Sequence, residues 1–150
     1  MEQLKLSNQV CFPLYSASRL ITKAYKPFLD EIGITYPQYL VLLVLWEKDG
    51  VSVNQITEKL LLNTNTISPL LQRMEKLNLI QRTRNSEDER CVIVQLTEAG
   101  KAIKEKASLI PDQMLQILMN DNIELAEVLQ LKEMLNQWID VLQKNSKSIK

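Results

Sequence analysis

Residues 52–96 read SVNQITEKLLLNTNTISPLLQRMEKLNLIQRTRNSEDERCVIVQL, and the changes of period within them decide the fold. Ser52 reads as the cap of a short helix over about 53–61, and Asn63 or Asn65 starts a second over about 66–77. The connection Leu61-Leu62-Asn63-Thr64 is as tight as a helix-turn-helix requires. After Leu77-Asn78 the pattern turns β-prone: residues 79–84 and 91–96 flank the polar, turn-rich run Asn85-Ser86-Glu87-Asp88-Glu89-Arg90. Two strands around a polar loop make a hairpin. Placed directly after the second helix, that hairpin is a wing.

Working outward, Thr35 caps a helix with Pro37 in its opening turn, rich in Leu and Val through Trp46, and Asp49-Gly50 is a turn. A first helix over about 7–31 carries Val10, Leu14, Ala17, Ile21, Ala24 and Phe28 on one face, with Ser7 or Asn8 as cap and Gly33 as stop. Downstream, Thr97-Glu98 opens a long helix (Ala102, Ile103, Ala107, Ile110) expected to bend at Pro111. A last helix, about 124–144, presents Leu125, Val128, Leu131, Leu135, Trp138 and Leu142 at three-and-four spacing, and the tail from Asn145 is expected to fray. The expected architecture is mainly α: an α+β winged helix-turn-helix of about six helices with a two- to three-stranded wing. One domain is expected over 1–150, its winged module (about 35–97) flanked by helices over about 7–32 and 98–144. Apolar seams that long need a partner surface, and in 150 residues a second copy supplies it, as a homodimer.

Composition narrows the chemistry. Lys+Arg and Asp+Glu are 18 each, so no overall basic field draws nucleic acid and any DNA binding must rest on local charge. Histidine is absent, which removes Ser-His-Asp and Cys-His catalysis. Two distant cysteines without histidine make a poor metal inventory, and no Gly-rich phosphate loop is present. A protein without cofactor or catalytic site is expected. The longest apolar run, residues 39–46, falls far short of the roughly 20 residues of a membrane span. The N-terminus lacks a signal-peptide layout, so a cytosolic protein is expected.

The N-terminal residues of the second helix of such a motif approach base edges in the major groove. Here those are Asn63, Thr64, Asn65, Thr66 and Ser68, whose amides and hydroxyls read bases or simply cap the helix. Arg73, Lys76, Arg82, Arg84 and Arg90 suit phosphate and minor-groove contacts, against the plainer reading of a solvated hairpin offset by Glu87, Asp88 and Glu89. Double-stranded DNA with a pseudo-palindromic operator is the expected partner.

The run Ser86-Glu87-Asp88-Glu89-Arg90, the β-prone segment after it, and Leu96-Thr97-Glu98-Ala99-Gly100-Lys101 resemble the wing and following helix start of MarR-family regulators, over nearly the whole chain. The resemblance implies that Arg90 enters the minor groove and Asp88 braces the wing. Residues 11–19 (CFPLYSASR) and 29–39 (LDEIGITYPQY) carry a narrower one, to the organic-hydroperoxide-resistance repressors with a reactive cysteine in the first helix. It implies that Cys11 is oxidised by organic hydroperoxides and that Tyr25 and Tyr36 of one subunit close over Cys11 of the other. Where such relatives use two cysteines, the second lies in the C-terminal helices. This chain has none there, so Cys91 reads as incidental and the implied chemistry uses one cysteine, with a low-molecular-weight thiol as a further partner. Relatives commonly carry Asp-Ser-Gly where this chain has Asn63-Thr64-Asn65, which points to a different operator preference.

The residues support that chemistry independently. A thiolate attacks a peroxide oxygen to give sulfenic acid. Cys11 lies within about a turn of a helix start, where free N–H groups favour negative charge, and Tyr15 is one turn on, placed to donate its O–H to the sulfur. Tyr25 is fourteen residues on, roughly 21 Å along a straight helix, so it cannot reach Cys11 within that helix, whereas a Tyr25 from a partner chain could. The alternatives are a small buried cysteine and plain core tyrosines. Three rival functions are a repressor released by a small phenolic ligand under reducing conditions, a redox regulator with other targets, and a thiol peroxidase, which would turn over with a reductant.

Overall fold

The computed structural model describes residues 1–84, 91–119 and 123–148. Its contacts divide the chain into two compact units, residues 1–110 and 111–150. The first contains α1 (Cys11–Glu31), α2 (Tyr36–Glu47), β1 (Val51–Ser52), α3 (Val53–Leu60), α4 (Thr64–Lys76), β2 (Ile80–Arg84), β3 (Val92–Leu96) and α5 (Glu98–Ala107). Helix α6 (Ile110–Leu118) begins at the boundary, and α7 (Leu125–Ser148) lies in the second. The architecture is a mainly helical winged helix-turn-helix, as its sequence pattern predicts.

Helix α2 is the hub. It is apolar nearly all round, and such a helix must be covered on every side. Tyr39, Val41, Leu42, Val44 and Leu45 are buried, and α1, α3, α4 and α5 all pack on it. Its one buried polar side chain, Gln38, is satisfied by accepting the Thr35 N–H at 2.8 Å. Helix α4 buries Ile67, Leu70, Leu71 and Met74, a three-and-four stripe that seats one face and leaves the other outward.

Three helices end alike. An N–H two or three residues past the helix returns to the carbonyl five residues back: Ile34 to Leu29, Leu62 to Thr57 and Leu79 to Met74. The residue between adopts a left-handed conformation, at Gly33 (φ 72°), Leu61 (φ 54°) and Asn78 (φ 55°). Glycine and asparagine suit it, whereas a leucine Cβ crowds the next carbonyl at a cost of roughly 1–2 kcal/mol. Leu61 is 54% exposed, so little packing offsets that cost. Leu61→Gly is therefore expected to stabilise the protein by about 1 kcal/mol after the glycine's own entropic penalty. A thermal midpoint raised by about 2–4 °C would show it; an unchanged or lower midpoint would refute it.

The sheet has order β1-β3-β2 and is antiparallel throughout. Its register opposes Ile80 to Leu96, Arg82 to Val94 and Arg84 to Val92. Side chains alternate faces along a strand, so buried Ile80 puts Arg82 and Arg84 on its own face of β2. Residue β1 Val51, opposite Val94, is buried with it.

Several boundaries differ from expectation, each for a local reason. Helix α1 starts at Cys11 after two short 3-10 turns, and neither Ser7 nor Asn8 caps it. Helix α4 starts at Thr64 because Asn63 Oδ1 accepts the Thr66 N–H at 2.9 Å. The long helix after Thr97 is two helices, parted at Ser108–Leu109 just ahead of Pro111. Helix α7 continues to Ser148, past the expected fraying point. Along α7, Leu125, Leu131, Trp138 and Leu142 of the expected seam are exposed, as are Leu129, Met134, Ile139 and Val141.

Candidate nucleic-acid interface and thiol site

The apolar stripe of α4 faces the core, so the opposite side of its first turn is presented to solvent. Asn63, Thr64, Asn65 and Thr66 are all exposed, and Ser68 is half-buried. Asn63 and Thr66 also form the cap: Asn63 Oδ1 accepts both the Thr66 N–H and the Thr66 Oγ1–H at 2.9 Å. Capping and base reading thus draw on the same residues, with Thr64 and Asn65 beside them. Pro69, within the helix, has no N–H to return to the Asn65 carbonyl.

Arg73 and Arg84 are exposed, and among the described residues neither has a carboxylate partner. Arg82 differs. Its Nε and Nη2 donate to Glu75 Oε2 at 3.1 and 2.7 Å, and its backbone N–H donates to Glu75 Oε1 at 3.3 Å. These bonds hold the Glu75 carboxyl below its ordinary pKa of 4.5. Asp88 and Arg90, expected at the wing tip, lie outside the described residues. Cys91 is half-buried before β3 and lines a cleft of about 240 Å³ with Ser52, Thr64, Ser68, Arg82 and Val92.

Cys11 is the first residue of α1 and is exposed, not a small core hydrophobe of the protomer. Tyr15, one turn on, is 59% exposed; its hydroxyl accepts from Arg19 Nη1 at 3.3 Å, and the guanidinium lies 5.5 Å from the ring centroid. An oxygen that accepts there keeps its own proton to donate. Among the described residues no hydrogen bond reaches the Cys11 sulfur within the protomer.

Tyr25 and Tyr36 meet each other, with centroids 4.9 Å apart, where α1 and α2 pack. Tyr39 joins them at 5.9 and 6.4 Å, with Trp46 behind it at 6.2 Å. Tyr39 is not among the residues expected at the site, although its place three residues after Tyr36 on a helix puts both on one side. Beside the cluster, a cleft of about 550 Å³ is lined by Ser18, Thr22, Lys26, Leu29, Ile34 and Tyr36 among others. Cys11 and Tyr25 occupy one continuous helix, so the fourteen-residue separation, roughly 21 Å, stands within a protomer.

Burial raises the pKa of Tyr25, Tyr36 and Tyr39 above the ordinary 10.0, with added repulsion from neighbouring phenols at Tyr25 and Tyr39. The unfolded chain therefore ionises first. The stabilisation is whole below pH about 10 and is lost as pH rises through the folded-state values. Tyrosinate absorbance is expected to show three phenols ionising late or only with unfolding. Three phenols ionising at their ordinary pH in the folded protein would contradict the buried cluster.

Comparison with known proteins agrees with this geometry. Residues 23–107 match the family model described as transcriptional regulator SarA/Rot. The chain is 47% identical over 145 residues to the organic hydroperoxide resistance transcriptional regulator of Bacillus subtilis (strain 168), covering 96% of this chain and 97% of that one. Among solved structures it resembles AbfR of Staphylococcus epidermidis. The reduced, DNA-bound form has a TM-score of 0.78 at 36% identity, covering 95% and 97% of the two chains. The overoxidised, DNA-bound form has 0.74 at 36%, covering 94% and 97%. By this likeness, its winged helix-turn-helix and its α1 thiol, the chain belongs to the MarR-type transcriptional regulators, in the branch of the organic hydroperoxide resistance regulators.

Proposed function

We propose that the protein is a homodimeric, DNA-binding repressor that acts in the cytoplasm and releases its operator when an organic hydroperoxide oxidises Cys11. The observation that carries this is a division of labour along α1. Exposed Cys11 stands at its start, while Tyr25 and Tyr36 gather with α2 roughly 21 Å away. Only a second subunit brings the two halves together. Tyr25 and Tyr36 of one protomer then donate to the sulfur of its partner, with Tyr15 from the cysteine's own helix. The exposed apolar residues of α7 supply further surface for the dimer.

The redox step is balanced by the peroxide alone. The Cys11 thiolate attacks one oxygen of ROOH, an S–O bond forms, the O–O bond breaks, and ROH leaves with a proton from solvent. Sulfur loses two electrons and becomes sulfenic acid. Condensation with a small thiol then gives a mixed disulfide and water. Added bulk and lost tyrosine bonds at the subunit junction bias the dimer away from the spacing of about 34–36 Å that two successive major grooves demand. In the reduced dimer, Thr64, Asn65 and Ser68, with cap residues Asn63 and Thr66, face the bases. Arg73 and Arg84 face phosphate, Arg90 enters the minor groove and Asp88 orients it.

A gel shift on a duplex selected by the reduced protein from a random pool, with and without cumene hydroperoxide, tests the reading alongside intact mass. Release that tracks addition of one oxygen or one thiol adduct at Cys11 is expected. Reading mass and shift together also distinguishes that step from higher oxides, because AbfR is known bound to DNA when overoxidised. Release under reducing conditions without a mass change would favour a ligand-responsive regulator instead.

A further inference from the structure

Among the described residues, Glu75 makes the densest side-chain hydrogen bonding of the winged module, yet it has no role in the proposed release of DNA. From the last turn of α4 it accepts three N–H groups of Arg82 on β2, two from the guanidinium and one from the backbone. The backbone bond is informative. With the order β1-β3-β2, β2 is an edge strand, and the Arg82 N–H that Glu75 accepts belongs to that unpaired edge. Glu75 therefore stands where a fourth strand would, and it fixes both the main chain and the side chain of one β2 residue.

We infer that Glu75 and Arg82 are positioning residues that set the wing against the recognition helix, and that Arg82 serves the operator through this brace and not as a phosphate contact. Glu75 rides on the same rigid helix as Thr64 and Asn65, and Arg84 lies two residues beyond Arg82 on the same face of β2. The brace thus joins a base-reading end to a phosphate-facing strand end. Two guanidinium N–H groups converge on Glu75 Oε2, a rigid paired geometry that the point charge of an ammonium does not reproduce.

The inference rests on the DNA-binding reading, and its test keeps the two apart. Full-length protein first selects a duplex from a random-sequence pool; if none is enriched, the DNA-binding reading fails, whatever the brace does. On the selected duplex, Glu75→Gln is expected to weaken binding about tenfold, a usual size of coupling between contacting residues in one network. Simple electrostatics predicts the opposite sign, because removing a negative charge beside DNA should tighten binding. Arg82→Lys is expected to lose about as much even though the positive charge remains, and the double variant no more than either single. The dependence of affinity on salt should be the same in all three, since each breaks the same brace and Arg82 itself makes no phosphate contact. Thermal melts confirm that each variant is folded, and both substitutions are conservative enough to provide independent readings. Binding that is unchanged or tighter with Glu75→Gln, or wild-type affinity with Arg82→Lys, overturns the inference. So does a salt slope lower by about one with Arg82→Gln than with Glu75→Gln, the mark of a direct phosphate contact.

Discussion

Cys11→Ser is expected to bind operator DNA within about twofold of the wild type, as for an exposed substitution away from the reading head, and to lose release by cumene hydroperoxide altogether. A serine hydroxyl keeps the volume and hydrogen bonding of the thiol nearly intact. It offers no soft, ionisable sulfur, so the O–O bond is not attacked and no adduct forms. The effect is all-or-none because the proposed mechanism has one reacting atom. Cys91→Ser provides the matching control: its thiol is half-buried against α4 and the wing, and release is expected to proceed as in the wild type. If the Cys11 variant is still released by peroxide, or the Cys91 variant is not, the thiol has been assigned to the wrong residue. The same pair of variants separates sensing from a thiol peroxidase. A sensor consumes about one hydroperoxide per Cys11, whereas an enzyme continues to turn over when a reductant is supplied.

The second large effect concerns stability and runs against helix propensity. Gly100→Ala in the first turn of α5 is expected to destabilise the protein by about 3 kcal/mol, although alanine is the better helix former by about 1 kcal/mol. A Cβ at Gly100 would lie 2.1 Å from the Leu79 carbonyl oxygen and 3.1 Å from its carbon. The obstacle is backbone, and it cannot swing aside. That carbonyl accepts the Thr97 N–H at 3.1 Å, and the Gly100 carbonyl accepts the Trp46 indole N–H at 3.0 Å. Moving α5 outward to admit a methyl group would break both bonds and open the junction between β2, α2 and α5. Urea denaturation reads the result directly. A variant as stable as the wild type, or more so, would mean that the close approach is not maintained in solution.

Both effects bear on how far the sequence alone carries. The helix-turn-helix, the hairpin after it and the left-handed stop at Gly33 are local matters. Side-chain period, caps and turn residues act within a few positions, and so they can be read in one dimension. The thiol was legible for a different reason: the residues around Cys11 and around Tyr36 resemble those of a family with a reactive cysteine. The face of Arg82 was within reach too. Ile80 is core, alternation puts Arg82 on the same side, and Glu75 is the penultimate residue of α4.

Contacts across the chain were not legible. Nothing in the run Leu96-Thr97-Glu98-Ala99-Gly100 discloses that a carbonyl from residue 79 fills the space where a side chain would stand. Nothing in the spacing of Tyr25, Tyr36 and Tyr39 states that their rings meet in one cluster. Sequence therefore determined which elements form, where most of them stop and which residues carry reactive or basic groups, because those depend on short-range sterics and chemistry. Tertiary structure decided which arginine is tied inward, which glycine is indispensable and which tyrosines share a cluster. Those outcomes follow from the approach of separate elements of the chain, driven by burial that has no direction along it.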